Sequence, residues 1–319
     1  MLDILSITGP IYIAIALGYL STRHGVFQRA DMRVFGAFVI RLALPALLFQ
    51  ALAKRRPEEI LDPRYLLLYA AGSLIAMGII IAWSRRRLDP TTSVYVGMGG
   101  TCPNSGFVGY PIALLVIGPA AGVSLGLNMI VENLLLIPLA MALADRSADP
   151  HAHWTDSVRQ SLLGLVRNPM VIGLMAGMAM SVSGLQLPAV LDRTVNLFAM
   201  ASGALSLFVI GGSLAGPQMA GLGRQVATVA VGKLLIHPAV MLALLLGVEA
   251  MGVTPLSPDM RTALMLTAAC PMMGIFPILA QKHGREGLAA SALLVTTVAS
   301  FFSISALLWG LSHLPGWTR

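Results

Sequence analysis

The sequence predicts an all-α membrane protein. Ten transmembrane helices are arranged as two inverted five-helix repeats, whose helices four and nine are broken and cross. Three observations predict it. Hydrophobic residues make up 56% of the 319 and charged residues only 11%, with a mean hydropathy of +0.80, whereas an average soluble domain carries roughly 25% charge. Ten apolar stretches follow one another, each close to the ~20 residues that cross a bilayer core. Finally, Cys102-Pro103-Asn104-Ser105-Gly106 in the fourth stretch returns as Cys270-Pro271-Met272-Met273-Gly274 in the ninth, followed each time by a second proline, Pro111 or Pro277.

The stretches run near 4–20, 34–53, 65–83, 93–117, 121–143, 162–183, 192–215, 226–248, 261–281 and 288–312. The first lacks a basic, short-apolar leader with a small-residue cleavage site, so it reads as a retained span. The second holds Arg41 just before Leu42-Ala43-Leu44-Pro45, and the third ends at the basic run Arg85-Arg86-Arg87. The fourth contains the first break and the fifth holds Asn128, Glu132 and Asn133. Residues 144–160 form the longest polar connector, almost midway, and join a first repeat (1–143) to a second (161–319). The sixth opens at Pro169 and carries Met170, Met175, Met178 and Met180 as lipid-facing or packing surface. Gly211-Gly212 in the seventh is expected to let helices approach closely. The eighth holds Lys233 and His237, the ninth holds the second break, and the tenth is apolar throughout.

The connectors after helices one, three, five, seven and nine hold most of the Lys and Arg. The positive-inside rule puts that side in the cytoplasm and both termini outside. Lys54-Arg55-Arg56 lies on the opposite side and runs against the trend. Five helices per half is an odd number, so the second half must sit upside down. Pro103 and Pro271 are 168 residues apart, and Pro10 and Gly18 echo Pro169 and Gly177.

A proline inside a helix removes a donor and clashes with the preceding turn. Two prolines around a glycine (Pro103, Gly106 and Pro111; Pro271, Gly274 and Pro277) should break the helix outright. Such breaks survive in a membrane only where protein or water meets the freed backbone. Paired breaks in corresponding places point to a transporter's substrate site near the bilayer midplane. Half-helix N-termini would aim unpaired N–H groups at one place, each carrying about half a positive charge, which suits a carboxylate. Asn104 and Ser105 add donors there, although both also fit as caps of the broken helix. Met272 and Met273 stand at the second break and could line the hydrocarbon part of a ligand.

Lys233 and His237 are four apart and share a helix face. A charge at mid-membrane costs about 2.5–3.5 kcal/mol on insertion scales, so it faces protein or a cavity. Lys233 either attracts an anionic substrate or snorkels to an interface. His237 is either a proton relay or a hydrogen-bonded packing residue. Glu132 either pairs with Lys233 or Arg41, or carries a coupling proton. Arg41 is a substrate-side cation or a structural partner of Glu132. Asn133 joins the candidate substrate-binding residues.

The net charge of +7 is spread in short clusters between apolar runs, which reads as membrane anchoring rather than nucleic-acid binding. Two cysteines, both before prolines in apolar stretches, argue against a disulfide framework or a zinc site. No HExxH, GxSxG, GxxxxGK[ST] or paired CxxC occurs, so neither an enzyme, a metal site, a cofactor nor an ATP-driven pump is expected.

Asn104-Ser105-Gly106-Phe107-Val108-Gly109-Tyr110-Pro111 resembles the Asn-x-Gly-x-x-Gly-x-Pro signature of the auxin efflux carrier family. Leu42-Ala43-Leu44-Pro45-Ala46-Leu47-Leu48-Phe49 resembles that family's second-helix motif. Asn168-Pro169, Gly211-Gly212-Ser213-Leu214, Cys270-Pro271 and Gln281-Lys282-His283-Gly284 fall in the matching places, so the resemblance spans the chain. It implies ten helices in an inverted five-plus-five arrangement with crossed broken helices. It also implies a scaffold and a transport domain moving by elevator-type alternating access. Plant members, the PIN-formed proteins, export auxin, and bacterial members are linked to malonate and malate. The short central connector departs from many plant members and favours the compact bacterial type in the inner membrane. Arg41 and Glu132 have no assigned place in the motif.

The expected function is a secondary carrier of small organic anions such as malonate or malate, coupled to a proton, to sodium or to neither. A sodium-coupled carrier of the bile-acid type and an auxin-like monocarboxylate exporter are the alternatives. A non-transporting receptor is a third class, disfavoured because no soluble signalling domain is present. A homodimer is one open arrangement, since inverted-repeat carriers often pair.

Overall fold

The structure, a computed structural model, describes residues 2–55, 60–149, 163–164, 166–215, 223–313 and 317. Arg56 of the basic cluster and most of the 144–160 connector lie outside the described residues. Helices occupy each apolar stretch: α1 Leu2–Arg23, α2 Arg29–Ala53, α3 Pro63–Ser84, α4 Pro90–Thr101, α5 Ser105–Ile117 and α6 Ala120–Ala148. They continue as α7 Pro169–Ser183, α8 Ala189–Leu214, α9 Gly223–Ala250, α10 Pro258–Ala269, α11 Phe276–Ala280 and α12 Glu286–Ser312. Among the described residues there is no β-strand, and the single extended pairing is an isolated bridge between Pro103 and Met272. Among the described residues, six helices (α2, α3, α6, α8, α9 and α12) are long and apolar enough to cross a membrane.

Proline chemistry sets the local structure, in two different ways. The residue before a proline is driven out of the helical region. Cys102 and Cys270 accordingly take extended backbone, at φ −77, ψ 111 and φ −60, ψ 152, and α4 and α10 stop at them. Four further prolines do not break their helices. Pro45, Pro111, Pro138 and Pro238 each follow a single wide π turn, over Val39–Ala43, Ser105–Gly109, Glu132–Leu136 and Gly232–Ile236. Widening the turn to i→i+5 relieves the clash between the proline ring and the carbonyl four residues back. The expected double break therefore needs correction. Only the first proline of each pair interrupts the helix. Pro111 lies within continuous α5, and Pro277 sits in the first turn of α11.

The helices form two compact units, each drawing on both halves of the chain. The first comprises Met1–Asp62, Gly106–Leu127 and Val166–Pro217, and the second comprises Pro63–Ser105, Asn128–Leu165 and Gln218–Arg319. In the first unit α1 packs along α8, and α2 packs along α7. A Cβ on Gly211 would run into the Ile15 carbonyl, and one on Gly177 would lie 2.7 Å from the Phe49 carbonyl. The close approach expected at Gly211 is thus present. Lys54 pairs with Asp192 at 2.8 Å, so the basic residue on the unexpected side is held by an acid of α8. In the second unit α4 packs against α3, α6 and α9. Gly99 faces Val229 and Phe276, and Gly100 faces Ile80 and Gly232.

Candidate functional site

The two interruptions meet within the second unit. Asp89 caps α4 by accepting from the Thr92 N–H at 2.9 Å, with Pro90 as the first helical residue. Ser257 does the same for α10, ahead of Pro258. Both helices then run to their Cys-Pro peptide and unwind. The Asn104 N–H donates to the Pro271 carbonyl at 2.8 Å, and the Met273 N–H donates to the Cys102 carbonyl at 3.0 Å. The unwound segments thereby form a two-rung antiparallel pair, which answers the demand that intramembrane backbone be satisfied within the protein. This revises the picture of free N–H groups at both half-helix ends, because these two are spent on each other. Asn104, Ser105, Met272 and Met273 are all buried. Gly274 is exposed, and a Cβ there would have only the Asn104 amide within reach, at 3.7 Å.

A buried polar network surrounds the pair. Ser105 Oγ donates to Glu132 Oε1 at 2.5 Å, and the Tyr69 hydroxyl donates to the same oxygen at 2.9 Å. No cationic side chain among the described residues lies within ion-pair distance of Glu132. One turn earlier on α6, Asn128 accepts from the Tyr65 hydroxyl at 2.8 Å and donates to Thr267 Oγ1 at 2.9 Å. This ties α3, α6 and α10 together.

Lys233 lies in the π turn of α9 and is fully buried. Its Nζ donates to the Ala268 carbonyl at 2.6 Å and the Thr267 carbonyl at 3.4 Å, and it contacts His237 Nδ1 at 3.0 Å. Those carbonyls end α10, where the dipole is negative; the Thr267 carbonyl also accepts from the Cys270 N–H at 3.3 Å. A lysine ammonium only donates. Nδ1 of His237 therefore accepts, the ring hydrogen is assigned to Nε2, and Nε2 donates to Ser73 Oγ at 3.1 Å. Asn133 is half-buried, and its amide returns to the Met129 carbonyl of its own helix at 2.9 Å. Arg41 is exposed, lies in the first unit, and has no ion-pair partner among the described residues.

Asn104, Ser105, Met272, Met273, Glu132, Lys233 and His237 thus fall in one unit. Tyr65, Tyr69, Ser73 and Thr267 were not singled out from the sequence. For the three on α3 the signal was available: hydroxyls at i, i+4 and i+8 mark one face of that helix.

A second cluster closes one end of this unit. Asp145 at the end of α6 pairs with Lys282 at 2.7 Å and lies 3.3 Å from His283 Nε2. His283 Nδ1 meets the Tyr95 hydroxyl at 2.8 Å, and Tyr95 also donates to the Leu279 carbonyl at 3.2 Å. Burial pushes the His283 pKa below its ordinary value, against the opposing pull of Asp145.

Comparison with known proteins places the whole chain. The model of the membrane transport protein family matches residues 6–309. A Rhizobium meliloti protein named "Putative malonate transporter" is 27% identical over 97% of this chain and 96% of its own length. The Escherichia coli protein named "Uncharacterized transporter YfdV" is 25% identical over 65% of this chain and 67% of its own. Auxin efflux carrier component 8 of Arabidopsis thaliana is 24% identical over 46% of this chain and 41% of its own. With a family match over residues 6–309 and a plant auxin carrier among its relatives, the chain belongs to the membrane transport protein family of auxin efflux carriers, which are transporters and not enzymes.

Proposed function

We propose that the protein is a secondary carrier of small organic anions, malonate or malate, with its anion site at the paired breaks. The observation that carries this reading is the crossing itself. Two unwound segments sit side by side, with the Asn104 amide beside exposed Gly274 and with Ser105 one residue on. Asn104 and Ser105 contact one carboxylate, while Asn133, Met272 and Met273 shape the rest of the site. Lys233 supplies positive charge at the end of α10 and favours an anion nearby. The name of the Rhizobium relative supports malonate.

In this proposal the chain spans a bacterial inner membrane ten times as two inverted repeats, with both termini outside. The unit holding the breaks is the moving body of an elevator cycle. The sodium-coupled alternative is less favoured. A sodium site needs convergent oxygens, and the Thr267 and Ala268 carbonyls already hold the Lys233 amine.

The test is uptake of labelled malonate into proteoliposomes, with malate, succinate and indole acetate as competitors. Saturable uptake is expected, and Asn104→Ala should raise the half-saturation concentration about tenfold, the worth of one hydrogen bond to a charged group. Wild-type vesicles that neither take up nor exchange malonate under any gradient would overturn the assignment.

A further inference from the structure

The contact between Ser105 and Glu132 has a consequence for coupling, which rests on the carrier reading above. A serine hydroxyl has one hydrogen to give. Here it is given to Glu132 Oε1, which also accepts from Tyr69. Glu132 is buried, and no cation pairs with it among the described residues. While Glu132 is ionised, Ser105 is unavailable to a second anion. The carboxylate also repels that anion strongly, because a buried site screens charge poorly. A protonated Glu132 inverts the bond. Its O–H then donates to Ser105 Oγ, the hydroxyl hydrogen of Ser105 turns to the substrate carboxylate, and the repulsion disappears.

We propose that Glu132 is the proton-binding site of a proton–anion symporter, and that Ser105 is the link through which the proton licenses anion binding. One proton passes from the aqueous phase to the Glu132 carboxylate, and no other bond is made or broken. When the anion leaves, Ser105 returns its hydrogen bond to Glu132 and the proton departs on the same side. The groups facing Glu132 from the packed helices are compatible with this role. Tyr65 and Tyr69 come from α3, Cys102 from the end of α4 and Cys270 from the end of α10. Lys233 of α9 acts on it through space, with its amine committed to Ala268 and His237. His237 bonds Lys233 and Ser73 rather than Glu132. Neutralising Glu132 therefore leaves no cation stranded by a lost ion pair.

The experiment uses the full chain in proteoliposomes with labelled malonate, in two modes: accumulation driven by an inward proton gradient, and malonate–malonate counterflow without one. Glu132→Gln cannot ionise, and with its amide nitrogen in the Oε1 position it offers one N–H to Ser105 Oγ and one to the Tyr69 oxygen. It is expected to retain counterflow within about threefold while losing gradient-driven accumulation by about tenfold or more. A pH dye inside the vesicles should register malonate-dependent proton entry for the wild type and none for the variant. Accumulation by Glu132→Gln at the wild-type level, or net malonate uptake by the wild type with no proton entry, overturns the inference and leaves the carrier standing. If Glu132→Gln does not fold, Ser105→Ala decides: a weakened gradient response supports the link, and wild-type affinity with an unchanged response overturns it. Wild-type vesicles without counterflow strike the carrier reading instead.

Discussion

At the first break the chain unwinds at Cys102-Pro103 and continues into Asn104 and Ser105, whereas at the second it unwinds at Cys270-Pro271 and continues into Met272 and Met273. The two share an extended Cys-Pro backbone and the paired rungs, and their side chains differ. The ends of the half-helices differ as well. Thr101 at the end of α4 bonds back within its own helix, to the Gly97 carbonyl at 2.9 Å. The end of α10 is closed by Lys233 from another helix. Shifted by the 168 residues of the proposed repeat, Tyr65 and Tyr69 align with Lys233 and His237, and Asn128 and Glu132 align with Thr296 and Ser300. The tyrosines reach across to α6. Thr296 and Ser300 bond to carbonyls of their own helix, Ala292 and Thr297. One half of the crossing thus carries the donors suited to a ligand, and the other anchors the pair. A shared backbone device can be divided in this way because proline fixes the break without regard to the neighbouring side chains.

The largest expected effect falls on the anchoring half. Lys233→Met would strand the Ala268 carbonyl at about 1–3 kcal/mol for a buried acceptor left unpaired, while the Thr267 carbonyl keeps the Cys270 N–H. Thermal unfolding in detergent should show a clear drop in midpoint. Thr101→Val, at the equivalent end of α4, should change it far less. Equal losses would erase the distinction between the two halves.

A smaller effect concerns ligand contact. Met272→Leu conserves volume and should leave malonate affinity within about threefold, against the roughly tenfold loss expected for Asn104→Ala. A Met272→Leu defect as large as that of Asn104→Ala would show that the second break also touches the ligand's polar end.

The smallest effect lies at the far end of the second broken stretch. The His283 pKa is held below the ordinary ~6.5, first by burial. Protonation therefore favours the unfolded chain. The contribution of His283 is intact above that ordinary value and is lost as pH falls through the lowered one. The wild-type melting midpoint should decline between about pH 7 and 5, and His283→Gln should flatten that decline. An identical profile in the variant would free this cluster from any role in holding α11.

Much of this was legible in the sequence, for reasons particular residues make clear. Cys102-Pro103 and Cys270-Pro271 announced where the helices stop, because the proline ring acts on the residue just before it. The same logic misjudged Pro111 and Pro277, because a wide turn or a first-turn position accommodates a proline that a regular helix interior cannot. Glu132 could be singled out as a deep acid, but not its partners. The choice among Lys233, Arg41 and a hydroxyl depends on which helix faces turn toward one another, and hydropathy does not report that.

By itself, the sequence determined that this chain is a bundle of apolar helices with two interruptions at corresponding places, because apolar run length and proline sterics are local and do not depend on packing. Only the tertiary structure decided that the interruptions pair with each other, that Ser105 and Tyr69 converge on Glu132, and that Lys233 closes α10. Each of those contacts joins residues far apart in the chain or on different helices, so it exists only once packing has brought the right faces together.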